Sequence, residues 1–168
     1  MRHYAVIEIG SNAVRMILGE KDDDSSVKVL QSWSSHFRLG QEVVSKGNIS
    51  VSFQIRLCSI LEKLLDQLEP YGACPLQVFG TSAFRDAKNR KEVLQTLERN
   101  CGILVHVLSG KEEASVLLEG LSAFLPKHSY KQVVADLGGG SLELSFLNKN
   151  TVFCLLYTSD AADDRLRV

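Results

Sequence analysis

The chain has 168 residues, of which 45% are apolar and 23% charged, and 19 basic against 20 acidic side chains leave a net charge of −1. This size and these proportions are typical of about one ordinary globular domain, and they exclude a disordered, collagenous or coiled-coil protein. The near-neutral charge also excludes a general basic field for nucleic acid or for an anionic membrane, so any polyanion has to be bound locally.

The N-terminal segment runs directly into a strand pattern. Residues 1–4 precede it without the apolar h-region or the small-residue cleavage site of a secretory signal. No apolar run approaches the about 18 residues needed to cross a bilayer. We therefore expect a cytoplasmic protein with no transmembrane segment and no nucleic-acid partner.

The first 38 residues have the pattern of three strands. Residues 4–9 (YAVIEI) and 13–19 (AVRMILG) are apolar runs around a Gly-Ser-Asn break, which predicts a hairpin. The acidic segment 22–26 is typical of a solvated turn, with a metal site as the less favoured alternative. Residues 27–38 alternate as a third strand would.

Alternating helices and strands follow. Residues 40–50 are polar and contain glycine, which predicts a connection. Apolar residues at three- and four-residue spacing predict helices over 51–69 and 91–100, while short apolar runs predict strands over 76–80 and 103–108. A meander that turns into alternating units predicts an α/β fold with a mixed sheet flanked by helices.

A capping box opens the next helix. Ser109 and Glu112 have the Ser-x-x-Glu spacing in which each side chain bonds to the backbone N–H of the other residue. Glu112 is explained by this role, whereas Glu113 points about 100° further around the helix. The alternative explanation of Glu113 is the favourable placement of an anion in a first helical turn.

The opening pattern returns near the C-terminus. Residues 132–137 and 142–147 are predicted strands on either side of a Gly-Gly-Gly-Ser break, and 151–156 can pair back. The acids Glu8 and Asp136 each stand near the end of the strand before a glycine-containing break, so the same pattern occurs twice. This repeat predicts two similar half-sites on one cleft.

Each break can bind an anion through its backbone. A tight hairpin presents several N–H groups on one side, and glycine allows both a positive φ and the close approach of a phosphate. The adjacent acid can hold a cation, since Mg²⁺ usually takes one or two carboxylates together with phosphate oxygens. A plain hairpin explains either break alone, but the matched pair favours a phosphate site.

Four segments resemble the N-terminal motifs of the exopolyphosphatase/guanosine pentaphosphate phosphohydrolase (Ppx/GppA) family. They are AVIEIGSNAVRMIL (5–18), FGTSAFRDAKNR (79–90), VLSGKEEASVLLEG (107–120) and VVADLGGGSLELSF (133–146). The resemblance covers about residues 4–150. It implies the actin-like ATPase fold, in which two ribonuclease H-like domains bind phosphates between paired loops.

The resemblance also implies a domain organisation. Residues 1–125 would form domain I with the first phosphate loop, and 126–153 would be the opening hairpin of domain II with the second loop. The family pattern stops after Phe153, so we expect 154–168 to be foreign sequence at the end of a fragment. A genuine terminal extension is the alternative.

Site residues are carried over from the matching motifs. Glu113 matches the general base that activates water, and Arg85 matches a phosphate-binding arginine, with a surface ion pair to Asp86 as the alternative. The other phosphate-binding matches are Ser11, Asn12, Thr81, Gly138, Gly139, Gly140 and Ser141. The matched ligands for a Mg²⁺ cofactor are Asp136, Glu143 and Glu8.

Three positions leave alternatives open. Glu8 stands where the family usually has Asp, which weakens the case for direct metal contact while contact through water would persist. Arg15 and Arg38 are further phosphate candidates, each explained equally well without that role.

The implied activity is hydrolysis of the terminal phosphoanhydride of inorganic polyphosphate, with guanosine pentaphosphate as the alternative substrate. A non-catalytic phosphate- or nucleotide-binding module, or an inactive fragment, is the rival interpretation. An actin-like ATPase or sugar kinase would need a sugar- or adenosine-binding segment that this length does not contain. The family often dimerises, which implies a homodimer for the full-length protein.

Overall fold

The computed structural model describes four stretches of the chain, namely 2–21, 27–121, 131–148 and 151–158. The predicted acidic turn at 22–26 lies outside these described residues, as does the chain from 159 onward. Within the described stretches, no helix has the length and apolar character that a membrane span requires. The chain divides into two units, Met1–Val107 and Leu108–Val168.

A mixed sheet forms the first unit. Its strands are β1 (Arg2–Ile9), β2 (Ala13–Lys21), β3 (Val27–His36), β4 (Leu76–Gly80) and β5 (Val105–Val107). They are ordered β3-β2-β1-β4-β5. The first three strands pair antiparallel, whereas β4 pairs parallel with both β1 and β5. The predicted hairpin, third strand and mixed sheet are confirmed, with β5 shorter than the predicted 103–108.

Within the described part of this unit, four helices accompany the sheet. They are α1 (Leu39–Lys46), α2 (Val51–Asp66), α3 (Ser82–Asp86) and α4 (Arg90–Cys101), with a 3-10 turn at Glu69–Tyr71. The helices predicted over 51–69 and 91–100 are confirmed as α2 and α4. Gly102 ends α4 in the left-handed conformation, with φ +65°, a geometry in which glycine avoids the strain of a Cβ.

The core lies on one face of the sheet. Alternate residues of β1 and β2 are buried, because successive side chains of a strand point to opposite faces. The buried pairs across the two strands are Ala5 with Leu18, Ile7 with Met16, and Ile9 with Val14. Helical residues that complete this core are Leu57, Leu61, Leu64, Val93 and Leu97.

Two helices differ from the prediction. The segment 40–50, predicted as a connection, contains α1, whose Leu39 and Val43 are buried one helical turn apart. Their polar and glycine neighbours concealed this short apolar stripe, because two residues are too few to establish a period. The five-residue helix α3 lies where no element was predicted.

The second unit contains helix α5 (Gly110–Leu121) and strands β6 (Lys131–Leu137), β7 (Ser141–Asn148) and β8 (Thr151–Thr158). The strands form an antiparallel sheet in that order, and α5 contacts β7 and β8. The predicted helix and strands are confirmed, and β8 continues five residues past Phe153. Helix α5 groups with these strands, whereas domain I was predicted to include it. The predicted domain limits stay a prediction.

Replacing Leu61 by Ala tests the helix–sheet core. Leu61 is fully buried, so its truncation leaves a cavity, and we expect a loss of about 2–5 kcal/mol in the free energy of unfolding. The matched control is Ile55→Ala on the same helix, where the side chain is 65% exposed and we expect a change of about 0.5 kcal/mol or less. Urea unfolding measures both. Equal losses in the two variants would contradict this description of the core.

Candidate functional site

Two hairpin loops have the same local geometry. Loop 1 is the segment 10–12 between β1 and β2, and loop 2 is the segment 138–140 between β6 and β7. In each loop the first glycine donates its N–H to the carbonyl oxygen three residues on, at 2.9 Å, the pairs being Gly10 with Ala13 and Gly138 with Ser141. The repeat predicted from the sequence is therefore present as two equivalent hairpins, each described within its own unit.

The charges beside the two loops differ. Glu8 lies opposite Arg15 in the β1–β2 register, and Glu8 Oε2 is 3.4 Å from Arg15 Nη1. Asp136 lies opposite Glu143 in the β6–β7 register. Opposite charges on directly paired residues attract, whereas like charges destabilise the pair. Beside loop 1 the acid has an exposed arginine partner, while beside loop 2 two acidic residues occupy paired register positions.

Loop 1 is held by its carbonyl groups. The carbonyl oxygen of Asn12 accepts hydrogen bonds from the N–H groups of Phe37 and Arg38, each at 3.0 Å, and that of Ser11 accepts one from Gly40 at 2.8 Å. Among the described residues, none accepts a hydrogen bond from the N–H of Ser11 or Asn12. A loop whose carbonyls are bound while its amides remain available suits an anion.

The backbone conformation of the loops corrects one expectation. Positive φ angles were expected at the loop glycines, but among the described glycines they occur only outside loops 1 and 2. Gly10 instead lies where a side chain has little room, because a Cβ there would be 3.0 Å from Glu8 Oε1 and 3.2 Å from the carbonyl oxygen of Ala13. The left-handed residue near loop 1 is Arg38, with φ +54°.

The segment after β4 contacts loop 1. Ser11 Oγ is 2.7 Å from Ser82 Oγ, and both residues are buried. The N–H of Thr81, also buried, donates to the carbonyl oxygen of Ile9 at 3.3 Å. Since one hydroxyl donates to the other, the acceptor keeps its own proton for a further acceptor. The structure thus brings together Ser11 and Thr81, two of the predicted phosphate-binding residues.

Arg85 lies in α3, directly after this segment. Its N–H donates to the carbonyl oxygen of Thr81 at 3.0 Å, and its own carbonyl oxygen accepts from Arg90 Nη1 at 3.2 Å. The residue is half-buried. The backbone of Arg85 is therefore fixed on both sides, one helical turn from the Ser11–Ser82 contact, while its phosphate-binding role stays a prediction.

The capping box separates the two glutamates of α5. The N–H of Ser109 donates to Glu112 Oε2 at 2.8 Å, and the N–H of Glu112 donates to Ser109 Oγ at 3.3 Å. The predicted role of Glu112 is confirmed. Glu113 is half-buried in the same first turn, with its N–H bonded to the carbonyl oxygen of Ser109 at 2.9 Å. Its catalytic role stays a prediction.

No preformed metal centre is found within the described residues, where no three His, Cys, Asp or Glu side chains form a group that could hold a metal ion. Asp136 is half-buried and lies opposite Glu143 in register. Two carboxylates completed by phosphate oxygens are a usual set for Mg²⁺. The donor chemistry beside loop 2 therefore fits Mg²⁺ better than that of Glu8, which contacts Arg15.

Gly40 was missed by the sequence analysis. A Cβ at Gly40 would lie 2.8 Å from the Cβ of Ser11, so any larger residue would push loop 1 away. Gly40 belongs to an Arg-Leu-Gly segment that the sequence shows, but its contact with Ser11 exists only in the folded chain. Glycine here allows close approach rather than an unusual backbone angle.

A double-mutant cycle on this contact tests how loop 1 is positioned. We expect Gly40→Ala to lower the free energy of unfolding by about 1–3 kcal/mol, because the added methyl overpacks against Ser11. In the Ser11→Gly background the same substitution should cost much less, since the opposing Cβ is gone. Urea unfolding of the wild type, both single variants and the double variant gives the coupling free energy between the two positions. Additive effects would contradict the close approach of position 40 to the Ser11 side chain.

A family model and several known proteins match this chain. The model of the Ppx/GppA phosphatase family matches residues 18–157. Exopolyphosphatase 1 of Mycobacterium tuberculosis is 26% identical over 140 residues, which are 83% of this chain and 41% of that protein. This chain therefore spans well under two thirds of the curated relative's length.

Solved structures match over almost the whole chain. An exopolyphosphatase from Cytophaga hutchinsonii has a TM-score of 0.85 at 25% identity, covering 99% of this chain and 54% of that one. The Aquifex aeolicus Ppx/GppA family member has a TM-score of 0.78 at 23% identity, covering 94% and 51%. The predicted fold class, an actin-like ATPase fold with a mixed sheet flanked by helices, is confirmed.

Proposed function

This chain belongs to the Ppx/GppA phosphatase family, and we propose that it is part of a hydrolase that releases orthophosphate from the end of inorganic polyphosphate. The observation that carries the proposal is the pair of equivalent hairpin loops, each closed by the same 2.9 Å hydrogen bond from its first glycine. The similar proteins from Mycobacterium tuberculosis and Cytophaga hutchinsonii are named exopolyphosphatases, which supports this substrate.

Phosphate binding is assigned mainly to backbone groups. Loop 1 offers the N–H groups of Ser11 and Asn12, and loop 2 is proposed to offer those of 138–140 together with Ser141. This suits a chain of net charge −1, because backbone amides bind anions without any net charge. Thr81 and the guanidinium of Arg85 add side-chain donors, the latter with a fork that matches two phosphate oxygens.

Glu113 is proposed as the general base. Its carboxylate takes a proton from a water molecule, whose oxygen attacks the terminal phosphorus. The bond from that phosphorus to the bridging oxygen breaks, and the shortened polyphosphate leaves with the electron pair. Phosphoryl transfer depends mainly on positioning and on charge stabilisation. The protein therefore needs to supply little covalent chemistry beyond one proton acceptor, here placed on a capped helical turn.

Mg²⁺ is the proposed cofactor, with Asp136 and Glu143 as the residues that would hold it and Glu8 as a contact through water. When bound, it would neutralise charge on the phosphate oxygens. Guanosine pentaphosphate, which ends in the same phosphoanhydride, remains the alternative substrate. The homodimer and the cytoplasmic location likewise stay predictions.

The Glu113→Gln variant tests the proposed function. We expect phosphate release from long-chain polyphosphate with Mg²⁺ to fall by at least about 100-fold, as loss of a general base implies, while the Kd for polyphosphate changes little. Glu112→Gln is the matched control, because glutamine also completes a capping box and turnover should persist.

The other outcomes separate the alternatives. If neither the wild type nor Glu113→Gln releases phosphate although both bind polyphosphate, the chain is a binding module. If Glu113→Gln keeps full turnover, the base is another residue and the proposed mechanism is wrong.

A further inference from the structure

A cavity of about 560 Å³ lies in the first unit at the junction of β3, α1 and α2. Its lining includes two aromatic rings and three charged side chains, namely Phe37, Arg38, Glu42, Phe53 and Arg56. Its volume is within the range of small-molecule sites. None of these residues takes part in the reaction proposed above.

The cavity has a net positive lining. Its acid, Glu42, is buried and forms an ion pair with Lys46 at 3.0 Å. A hydrogen bond from Ser50, together with Lys46, lowers the pKa of Glu42, so this carboxylate stays ionised and compensated. Among the described residues, neither Arg38 nor Arg56 forms an ion pair with a carboxylate. Two guanidinium charges therefore remain for an external anion.

Aromatic rings hold Arg56 in place. Its guanidinium carbon lies 5.1 Å from the ring centre of Phe53 and 5.5 Å from that of Phe37. Such cation–π contacts attract a guanidinium to the face of a ring, while its N–H groups can still donate hydrogen bonds. These contacts place the exposed guanidinium of Arg56 beside two rings of the cavity lining.

The backbone of Arg38 is strained. Its φ of +54° and ψ of +41° place it in the left-handed region, which disfavours every residue with a Cβ and which glycine would adopt without cost. Strain of this kind persists where the surrounding structure imposes it, often at binding sites. The N–H of Arg38 bonds to the carbonyl oxygen of Asn12, so one residue joins the cavity to loop 1.

We propose that this cavity is a second phosphate subsite, which binds the polyphosphate chain away from its reacting end; this inference rests on the proposed function. Arg38 and Arg56 are its specificity-determining residues, and they favour long chains over short ones. A nucleotide base is a poorer fit, because Phe37 is buried and the guanidinium of Arg56 already covers the ring of Phe53. A phosphate chain needs only the N–H groups of the two guanidinium groups.

Binding measurements on the Glu113→Gln background test the subsite without hydrolysis. Arg56→Gln should raise the Kd for long-chain polyphosphate about tenfold or more, as expected when a charge-assisted hydrogen-bonding group is lost. The same substitution should leave the Kd for tripolyphosphate nearly unchanged. Arg99→Gln is the matched control, since it removes the same charge from an exposed residue of α4 and should alter neither Kd.

Arg38→Gly gives a second, independent readout. Glycine relieves the left-handed strain, so the thermal midpoint should be kept or raised while long-chain binding weakens. If Arg56→Gln weakens the binding of both ligands equally, or weakens the binding of neither, the proposed subsite is wrong. A wild type that binds long chains through this cavity but releases no phosphate would contradict the proposed function and leave the subsite standing.

Discussion

The candidate site depends on one constraint, namely the hydrogen bonds by which the β3–α1 junction holds the carbonyl oxygens of loop 1. Three backbone N–H groups, those of Phe37, Arg38 and Gly40, bond to the carbonyl oxygens of Ser11 and Asn12. A loop anchored in this way turns its acceptors toward the protein and leaves its donors for a ligand. The close approach of Gly40 to Ser11 follows from the same anchoring, and the Ser11–Ser82 contact is a second attachment, made by the segment after β4.

The charged residues beside the two hairpins differ although the backbones of the hairpins are equivalent. Beside loop 1, Arg15 neutralises Glu8, so the loop adds amides to a region without excess negative charge and favours an anion. Beside loop 2, Asp136 and Glu143 occupy paired register positions, which are the positions proposed to hold a cation. The Arg38 and Arg56 cavity adds positive charge on the loop 1 side. Local charge, rather than the net charge of −1, decides what each part can bind.

Local patterns in the sequence predicted local structure well. The capping box at Ser109 and the two hairpins depend on residues at most a few positions apart, and the structure has them as predicted. Helix α1 was missed because its stripe is only two residues long. The contact of Gly40 with Ser11 and the contacts of Arg56 with Phe37 and Phe53 depend on residues brought together by the fold, which no spacing reveals. The roles of Glu113 and Arg85 came from the family resemblance and stay predictions.

The most direct test of this account is to follow the backbone amide resonances of the ¹⁵N-labelled chain during titration with tripolyphosphate. We predict saturable shifts at Ser11 and Asn12 in loop 1 and at Gly139 and Gly140 in loop 2, with none at the exposed Gly72. Saturable binding that leaves the amides of both loops unshifted would contradict the claim that the loops bind phosphate through their backbone.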